Sequence, residues 1–153
     1  MNSTAVFHVR PLARDDLPKL LALYAHLHRA DDPLPAQAQV ESIWDRILRD
    51  ECHVYLGGFL GEELISACNA VIVPNLTRGM RPYAVIENVV THADHRRTGL
   101  GSKVMRRLIA ECIARRCYKI MLMSSADRAG IHAFYESLGF DKKAKQAFVL
   151  KVK

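Results

Sequence analysis

The chain has 153 residues, of which 50% are hydrophobic, 25% are charged and 7% are aromatic. This length and composition allow one complete hydrophobic core, so we expect a single globular domain over residues 1–153 and exclude disordered, collagen-like and disulfide-framework proteins. The 22 lysines and arginines outnumber the 16 aspartates and glutamates, and the formal net charge of +6 favours an anionic partner.

The spacing of apolar residues predicts the element order β-α-α-β-β-β-α-β-α-β. Residues 5–10 are expected to form a strand, and residues 14–28 carry leucines at helical spacing. Residues 53–60 and 64–73 flank a polar turn, which predicts an antiparallel hairpin. A second amphipathic helix precedes the hairpin and is marked by Val40, Ile43, Trp44, Ile47 and Leu48.

The strand predicted over residues 83–91 carries a carboxylate on an apolar face. Strict alternation places Glu87 on the same face of the strand as Val89, and places Ile86 and Val90 on the opposite face. An ionised side chain on an apolar surface is costly unless it has a partner or a task. Glu87 is therefore a candidate functional residue, and a purely structural role is the alternative.

The remaining elements complete one α/β domain around a mixed sheet. A helix begins at Leu100, and the strand that follows over residues 118–124 is apolar enough to be buried on both faces beside a parallel neighbour. A last helix covers about residues 128–138 and ends at Gly139. Residues 147–152 are expected to form the final strand of the sheet.

Two compositional features narrow the setting of the protein. No apolar run approaches the ~18 residues that span a bilayer, so we expect a cytoplasmic protein without membrane contact. The four cysteines form no C-x-x-C pair and have no histidines at zinc-finger spacing. We therefore expect reduced thiols and no metal site.

A basic turn with two glycines joins the strand of residues 83–91 to the helix that follows. Such a turn lets the backbone approach phosphate oxygens, and the first N–H groups of a helix attract anions. No dinucleotide G-x-G-x-x-G fingerprint or P-loop is present. A helix start with a solvated basic flank is the alternative interpretation. The candidate residues are Arg96, Arg97, Thr98, Gly99, Leu100, Gly101 and Ser102.

These motifs resemble the GNAT acetyltransferase superfamily. Arg96-x-x-Gly99-x-Gly101 is similar to its R/Q-x-x-G-x-G/A pyrophosphate signature, and residues 133–140 resemble its tyrosine helix followed by Gly-Phe. The resemblance implies a GNAT fold with a central mixed, twisted sheet of about six or seven strands and about four helices. Two parallel strands of this sheet would splay apart at the cofactor site.

By this resemblance, acetyl-CoA is the cosubstrate and the glycine turn holds its pyrophosphate. The main chain at the end of the preceding strand would pair with the pantetheine arm as an added strand. Many members place an asparagine before the tyrosine helix as a further pantetheine contact, and here Ser125 and Arg128 are the candidates to replace it. The main-chain candidates are Val89, Val90 and Thr91.

The resemblance also implies the reaction, in which an acetyl group passes to a primary amine of a small molecule or protein by direct attack in a ternary complex. Tyr135 would be the general acid that protonates the leaving thiolate, with a core tyrosine as the alternative. Glu87 would act as a general base, in some arrangements through a water, or bind the cationic amine. The N–H of Val89 or Val90 would donate to the thioester oxygen.

Two other functions fit parts of the sequence. A non-catalytic CoA-binding or regulatory module would keep the fold without the reaction. Nucleic-acid binding is disfavoured because the basic residues are scattered and lack interleaved aromatic side chains. Residues 86–90 look like the hexosamine-phosphate branch, but that branch often has aspartate where Asn88 stands, so its substrate is not assigned. The acceptor and the oligomeric state stay open, and a homodimer would be usual for the family.

Overall fold

A computed structural model describes residues 6–28 and 30–152. Its described residues form one sheet in the order β1-β2-β3-β4-β5, together with helices α1 to α4. The strands are β1 (Phe7–Pro11), β2 (His53–Leu60), β3 (Glu63–Val73), β4 (Tyr83–Thr91) and β5 (Ile120–Leu122). The helices are α1 (Leu17–Tyr24), α2 (Gln37–Arg49), α3 (Leu100–Ala114) and α4 (Ala129–Ser137), with 3₁₀ turns at Arg14–Asp16 and Ala93–His95.

The first four strands are antiparallel to their neighbours, which confirms the predicted hairpin of β2 and β3. The strand predicted over residues 83–91 is β4, with the same bounds. Beside it, the N–H of Ala84 donates to the carbonyl of Lys119 at 3.0 Å, and the N–H of Tyr118 donates to that of Pro82 at 2.9 Å. Both segments advance in the same direction, as parallel strands do.

Helices cover both faces of the sheet. Neighbouring residues of a strand point to opposite faces, and a Cβ on Gly57 would meet Leu12 while one on Gly58 would meet Val104 of α3. Because Leu12 belongs to the core under α1 and α2, α3 packs on the other face. The buried residues of the α1 and α2 core are Leu12, Leu20, Leu23, Trp44, Phe59, Leu64, Ala67 and Val90.

A β-bulge interrupts the pairing of β4 with β3. Between the pairs Ala67–Val90 and Asn69–Glu87, β3 has one residue and β4 has two. The first of these two residues of β4, Asn88, has a φ of +51°, which lies in the left-handed region. Asparagine enters this region more readily than most residues with a side chain. A bulge bends its strand, and here it lies three residues before the end of β4 that leads into the glycine turn.

The bulge makes the predicted alternation along β4 wrong. Ile86 pairs with Ala70 and Val90 pairs with Ala67, and these two partners lie on opposite faces of β3. Ile86 and Val90 therefore face opposite sides of the sheet, contrary to expectation. Glu87 precedes the bulge and lies on the same face as Val90, the one covered by α1 and α2.

The sheet is smaller than the resemblance implied, because the described chain contributes five strands. Residues 147–152, predicted as the last strand, have no regular structure, and the side chains of Phe148 and Leu150 are 91% and 88% exposed. An alternating apolar pattern forms a strand only when a neighbouring edge pairs with it. β5 is likewise shorter than predicted and half-buried rather than buried on both faces.

The first predicted helix ends early. α1 stops at Tyr24 instead of residue 28, and the next two N–H groups donate to carbonyls three residues back, those of Ala22 and Leu23. This bonding tightens the helix end into a 3₁₀ turn. The first residue of the predicted N-terminal strand, Ala5, lies outside the described residues.

Two compact units make up the chain, one ending at Met121 and one beginning at Leu122. Among the described helices, none is long and apolar enough to cross a bilayer.

The four cysteines are free thiols, and Cys68 and Cys112 are buried. Burial raises the pKa of Cys112 to about 11, so this thiol is not reactive at neutral pH.

An ion pair fixes the start of α1 against β1. Arg10 donates two hydrogen bonds to Asp16, at 2.6 and 2.9 Å, and the N–H of Ala13 donates to the same carboxylate at 2.8 Å. The guanidinium also lies 3.9 Å from the centre of the Phe59 ring. The hydrogen bond from Arg10 is the largest cause that lowers the pKa of Asp16 below its ordinary value of 3.8.

Replacing Asp16 with asparagine is expected to lower the free energy of unfolding by about 1.5–3 kcal/mol, the usual range for hydrogen bonds to charged groups. Because the folded-state pKa is lowered, the pair stabilises the protein above pH 3.8 and its contribution is lost as the pH falls through the folded value. Urea unfolding between pH 7 and about pH 2 measures both effects. Asp15→Asn, which removes an exposed carboxylate, should change neither.

Candidate active site

The turn between β4 and α3 has the geometry of an anion site. Gly99 is the N-cap residue of the 15-residue helix α3 and has a φ of +81°, which L residues with a side chain rarely adopt. No side chain caps this helix start. The first N–H groups of α3 are thus available to an external acceptor, with the positive end of the helix dipole behind them.

Gly101 brings the start of α3 against the end of β4. A Cβ at this position would lie 2.8 Å from the hydroxyl of Thr91. That hydroxyl is 2.9 Å from the hydroxyl of Ser66, which donates to the carbonyl of Val90 at 3.0 Å. The two glycines therefore have different tasks, since Gly99 meets a backbone requirement and Gly101 a packing requirement.

Arg96 ties this turn to its surroundings. Its Nε donates to the carbonyl of Thr91 at 3.1 Å, and its Nη2 donates to the carbonyl of His26, beyond α1, at 2.8 Å. The hydroxyl of Thr98 donates to the carbonyl of His95 at 2.6 Å. Arg97 is exposed and has a φ of +61°. Of the two arginines, Arg97 has the freer side chain for a phosphate.

Three histidines surround the same turn. The ring centres of His26 and His92 are 4.0 Å apart, and those of His92 and His95 are 5.8 Å apart. Within residues 6–28 and 30–152, no three His, Cys, Asp or Glu side chains form a group that could hold a metal ion. The ring contacts join the residues that follow α1 to the turn.

A polar row crosses the sheet beside the bulge. The register aligns Tyr55, Asn69 and Glu87 on the face covered by α1 and α2. The Nδ2 of Asn88 donates to the Oδ1 of Asn69 at 3.1 Å. Burial raises the pKa of Tyr55, whose ring packs edge-on against Trp44, so this phenol stays neutral.

Glu87 does not have the environment that the sequence predicted. Its side chain is exposed and not buried on an apolar face. No hydrogen bond or ion pair within the described part of the chain involves its carboxylate. A structural role would require a partner within the protein. A carboxylate that binds a cationic amine of the substrate would not require one.

The second unit holds the predicted general acid. Tyr135 is half-buried in α4, and its ring contacts those of Phe134 and Phe140. The helix ends with Gly139 at a φ of +95°, and the N–H groups of Phe140 and Gly139 donate to the carbonyls of Tyr135 and Glu136. This Schellman motif is the physical basis of the tyrosine, glycine and phenylalanine spacing.

The two candidates before α4 lie in an exposed segment of the second unit. Arg128 is the N-cap residue of α4, and its N–H donates to the carbonyl of Ser125 at 3.2 Å. The same carbonyl lies 2.8 Å from a ring nitrogen of His132. These bonds use main-chain atoms of Ser125, and the predicted cofactor role of both residues stays a prediction.

Sequence reasoning missed two polar residues of the site, Ser66 and Asn69. Both are buried in β3, with Asn69 only 4% exposed. The available signal was a polar side chain inside an otherwise apolar strand, the same signal that identified Glu87. Their partners on β4 could not be found without the register.

Comparisons with known proteins identify the family of the chain. The sequence model described as the Acetyltransferase (GNAT) family matches residues 17–140. Glucosamine 6-phosphate N-acetyltransferase of Trypanosoma brucei brucei is 30% identical over an alignment of 152 positions that covers 95% of this chain and 97% of that protein.

Solved structures extend the likeness to three dimensions. A structure from Agrobacterium tumefaciens strain C58, whose name proposes an acetyltransferase, is 35% identical with a TM-score of 0.89, covering 95% of this chain and 99% of that one. An acetyltransferase structure from Trypanosoma brucei is 28% identical with a TM-score of 0.79, covering 95% and 100%.

Proposed function

Because the chain belongs to the GNAT acetyltransferase family and is an N-acetyltransferase, we propose that it moves the acetyl group of acetyl-CoA to the amine of a hexosamine phosphate by direct attack in a ternary complex. The family uses acetyl-CoA as its acetyl donor. The non-catalytic alternative is less favoured because the trypanosomal relative, 30% identical over nearly the whole chain, is named an N-acetyltransferase.

The cofactor half of the proposal depends chiefly on the uncapped start of α3. Its free N–H groups, with Thr98 and Ser102 nearby and Arg97 exposed, fit the pyrophosphate of acetyl-CoA. The main chain of Val89, Val90 and Thr91 is proposed to pair with the pantetheine arm, and Ser125 or Arg128 to contact it further. Acetyl-CoA supplies an activated acetyl group as a thioester.

The acceptor amine must lose its proton to attack, and Glu87 is proposed to receive it. The supporting observation is a carboxylate that is exposed and has no partner in the described chain. An amine arrives as an ammonium ion at neutral pH, so a nearby carboxylate binds it first and then accepts a proton, directly or through a water. Binding the ammonium ion and accepting its proton both require the carboxylate to lie next to the acceptor nitrogen.

Tyr135 is proposed to donate the proton that the leaving thiolate takes up. A phenol is protonated at neutral pH, with an ordinary pKa of roughly 10. The Schellman motif and the two neighbouring rings hold its backbone and ring in place. The N–H of Val89 or Val90 is proposed to stabilise the negative charge that develops on the thioester oxygen.

The proposed acceptor class is supported by the name of the trypanosomal relative and by the net charge of +6, which favours an anionic amine. We expect glucosamine 6-phosphate to give saturable thiol release from acetyl-CoA, with kcat/KM about tenfold or more above that of glucosamine, since charge-assisted contacts to a phosphate are strong. A peptide with a free α-amine serves as the comparison. Faster release with the peptide than with the sugar phosphate would contradict the proposed acceptor.

A further inference from the structure

Asn69 is a buried amide at the centre of the sheet. It is 4% exposed, and the neighbouring residues of β3 are apolar, with Cys68 and Ala70 beside it in the chain. Burying an amide is unfavourable unless its polar atoms are hydrogen-bonded. The described partner of its carbonyl oxygen is the side chain of Asn88, 3.1 Å away.

Asn88 is the residue that gives β4 its bulge. Its φ of +51° is unfavourable for a residue with a side chain, and no glycine is present to adopt it freely. The hydrogen bond to Asn69 joins this residue to the neighbouring strand at the point where the regular pairing is interrupted. The hydrogen bond between the two side-chain amides therefore stabilises the left-handed backbone conformation of Asn88.

The conformation of the bulge sets the direction of the functional groups on either side of it. Glu87 comes directly before Asn88, and the main chain of Val89 and Val90 comes directly after. A bulge leaves one residue of the strand outside the regular ladder, so its N–H is not committed to the sheet. Donors that stabilise an oxyanion act through fixed geometry, and small displacements weaken them strongly.

We infer that Asn69 is a positioning residue for acetyl transfer, which holds the β4 bulge through its hydrogen bond to Asn88 and so aims the main chain of Val89 and Val90 at the thioester. The inference rests on the proposed function for the identity of the reaction. Asn69 itself touches neither substrate nor cofactor in this scheme, since its side chain contacts the bulge.

A double-mutant cycle tests the inference, with acetyl-CoA and glucosamine 6-phosphate as the substrates used. Asn69→Ala and Asn88→Gly each remove the same hydrogen bond, and glycine tolerates the left-handed conformation. We expect each single variant to lower kcat about tenfold, with the KM for acetyl-CoA changed less than about threefold. The double variant should lose no more than either single variant.

Hydrogen–deuterium exchange of the β4 segment gives a second readout that is independent of turnover. Both single variants should exchange the amides of residues 87–90 at least about tenfold faster than the wild type. Asp16→Asn is the matched control for lost stability, because it removes the charge of a buried carboxylate near β1 and not near the bulge. It should lower the melting temperature while leaving kcat at low temperature and exchange in β4 unchanged.

Several results would overturn the inference. One is an unchanged kcat in Asn69→Ala. Another is an Asn69→Ala substitution that lowers kcat by the same factor in the Asn88→Gly variant as in the wild type. The third is unchanged exchange in both single variants. If Asn69→Ala does not fold, the kcat and exchange of Asn88→Gly decide alone. An inactive wild type would contradict the proposed function and with it the link to acetyl transfer, and the exchange measurement would then decide whether Asn69 holds the bulge.

Discussion

Replacing Tyr135 with phenylalanine is expected to lower kcat about a hundredfold while changing the dissociation constant of acetyl-CoA less than about threefold. A positioned general acid contributes roughly 10² to 10⁴ in rate, and the substitution removes only one hydroxyl. The ring contacts with Phe134 and Phe140 and the main-chain bonds at the helix end are retained. Steady-state kinetics and calorimetric titration of CoA measure the two quantities separately.

Tyr118→Phe is the matched control, because it removes the same hydroxyl from a tyrosine of the first unit whose ring packs against Tyr83. It should leave kcat unchanged. Equal turnover in the wild type and Tyr135→Phe would remove Tyr135 from the mechanism. A weakened CoA complex with unchanged kcat would instead make the tyrosine a binding residue.

Replacing Gly101 with valine is expected to abolish the stabilisation that acetyl-CoA gives the wild type. At about 100 times its dissociation constant a ligand adds about 2.7 kcal/mol, which for a domain of this size raises the melting temperature by several degrees. The side chain would meet the hydroxyl of Thr91, since even a Cβ would approach it to 2.8 Å. The start of α3 would then move away from the end of β4.

Gly130→Ala controls for the loss of a glycine, because this residue lies in α4 and an added Cβ would meet open space beyond the backbone of its own helix. It should keep the full acetyl-CoA shift. Thermal unfolding with and without acetyl-CoA compares the two variants with the wild type. A full shift in Gly101→Val would show that the cofactor does not depend on this contact, and no shift in the wild type would contradict the cofactor site.

The parts of the site that the sequence predicted depend on neighbours in the chain. Gly99 and Gly101 could be identified because a strand, a turn and a helix follow one another without interruption, and Gly139 because it ends a helix. The physical reasons that the structure supplies, a positive φ at Gly99 and a close approach at Gly101, agree with that local interpretation.

The parts that the sequence could not supply depend on pairing between distant segments. The bulge at Asn88 exists only because β3 and β4 differ by one residue between two paired positions, and this difference is a property of two strands together. The same reason explains why Asn69 was not identified. It also explains the wrong strand at residues 147–152, whose pattern was suitable but whose edge found no partner.

The bulge has a consequence for how relatives of this chain should be aligned. In alignment terms Asn88 is an insertion, since the residues on either side of it continue to pair with β3 as an uninterrupted strand would. A relative with a one-residue gap here would keep both paired halves of β4 and with them the fold, yet would present a straight strand to the cofactor. The length of this strand is therefore a feature to compare among relatives, alongside the residues that are proposed to carry the reaction.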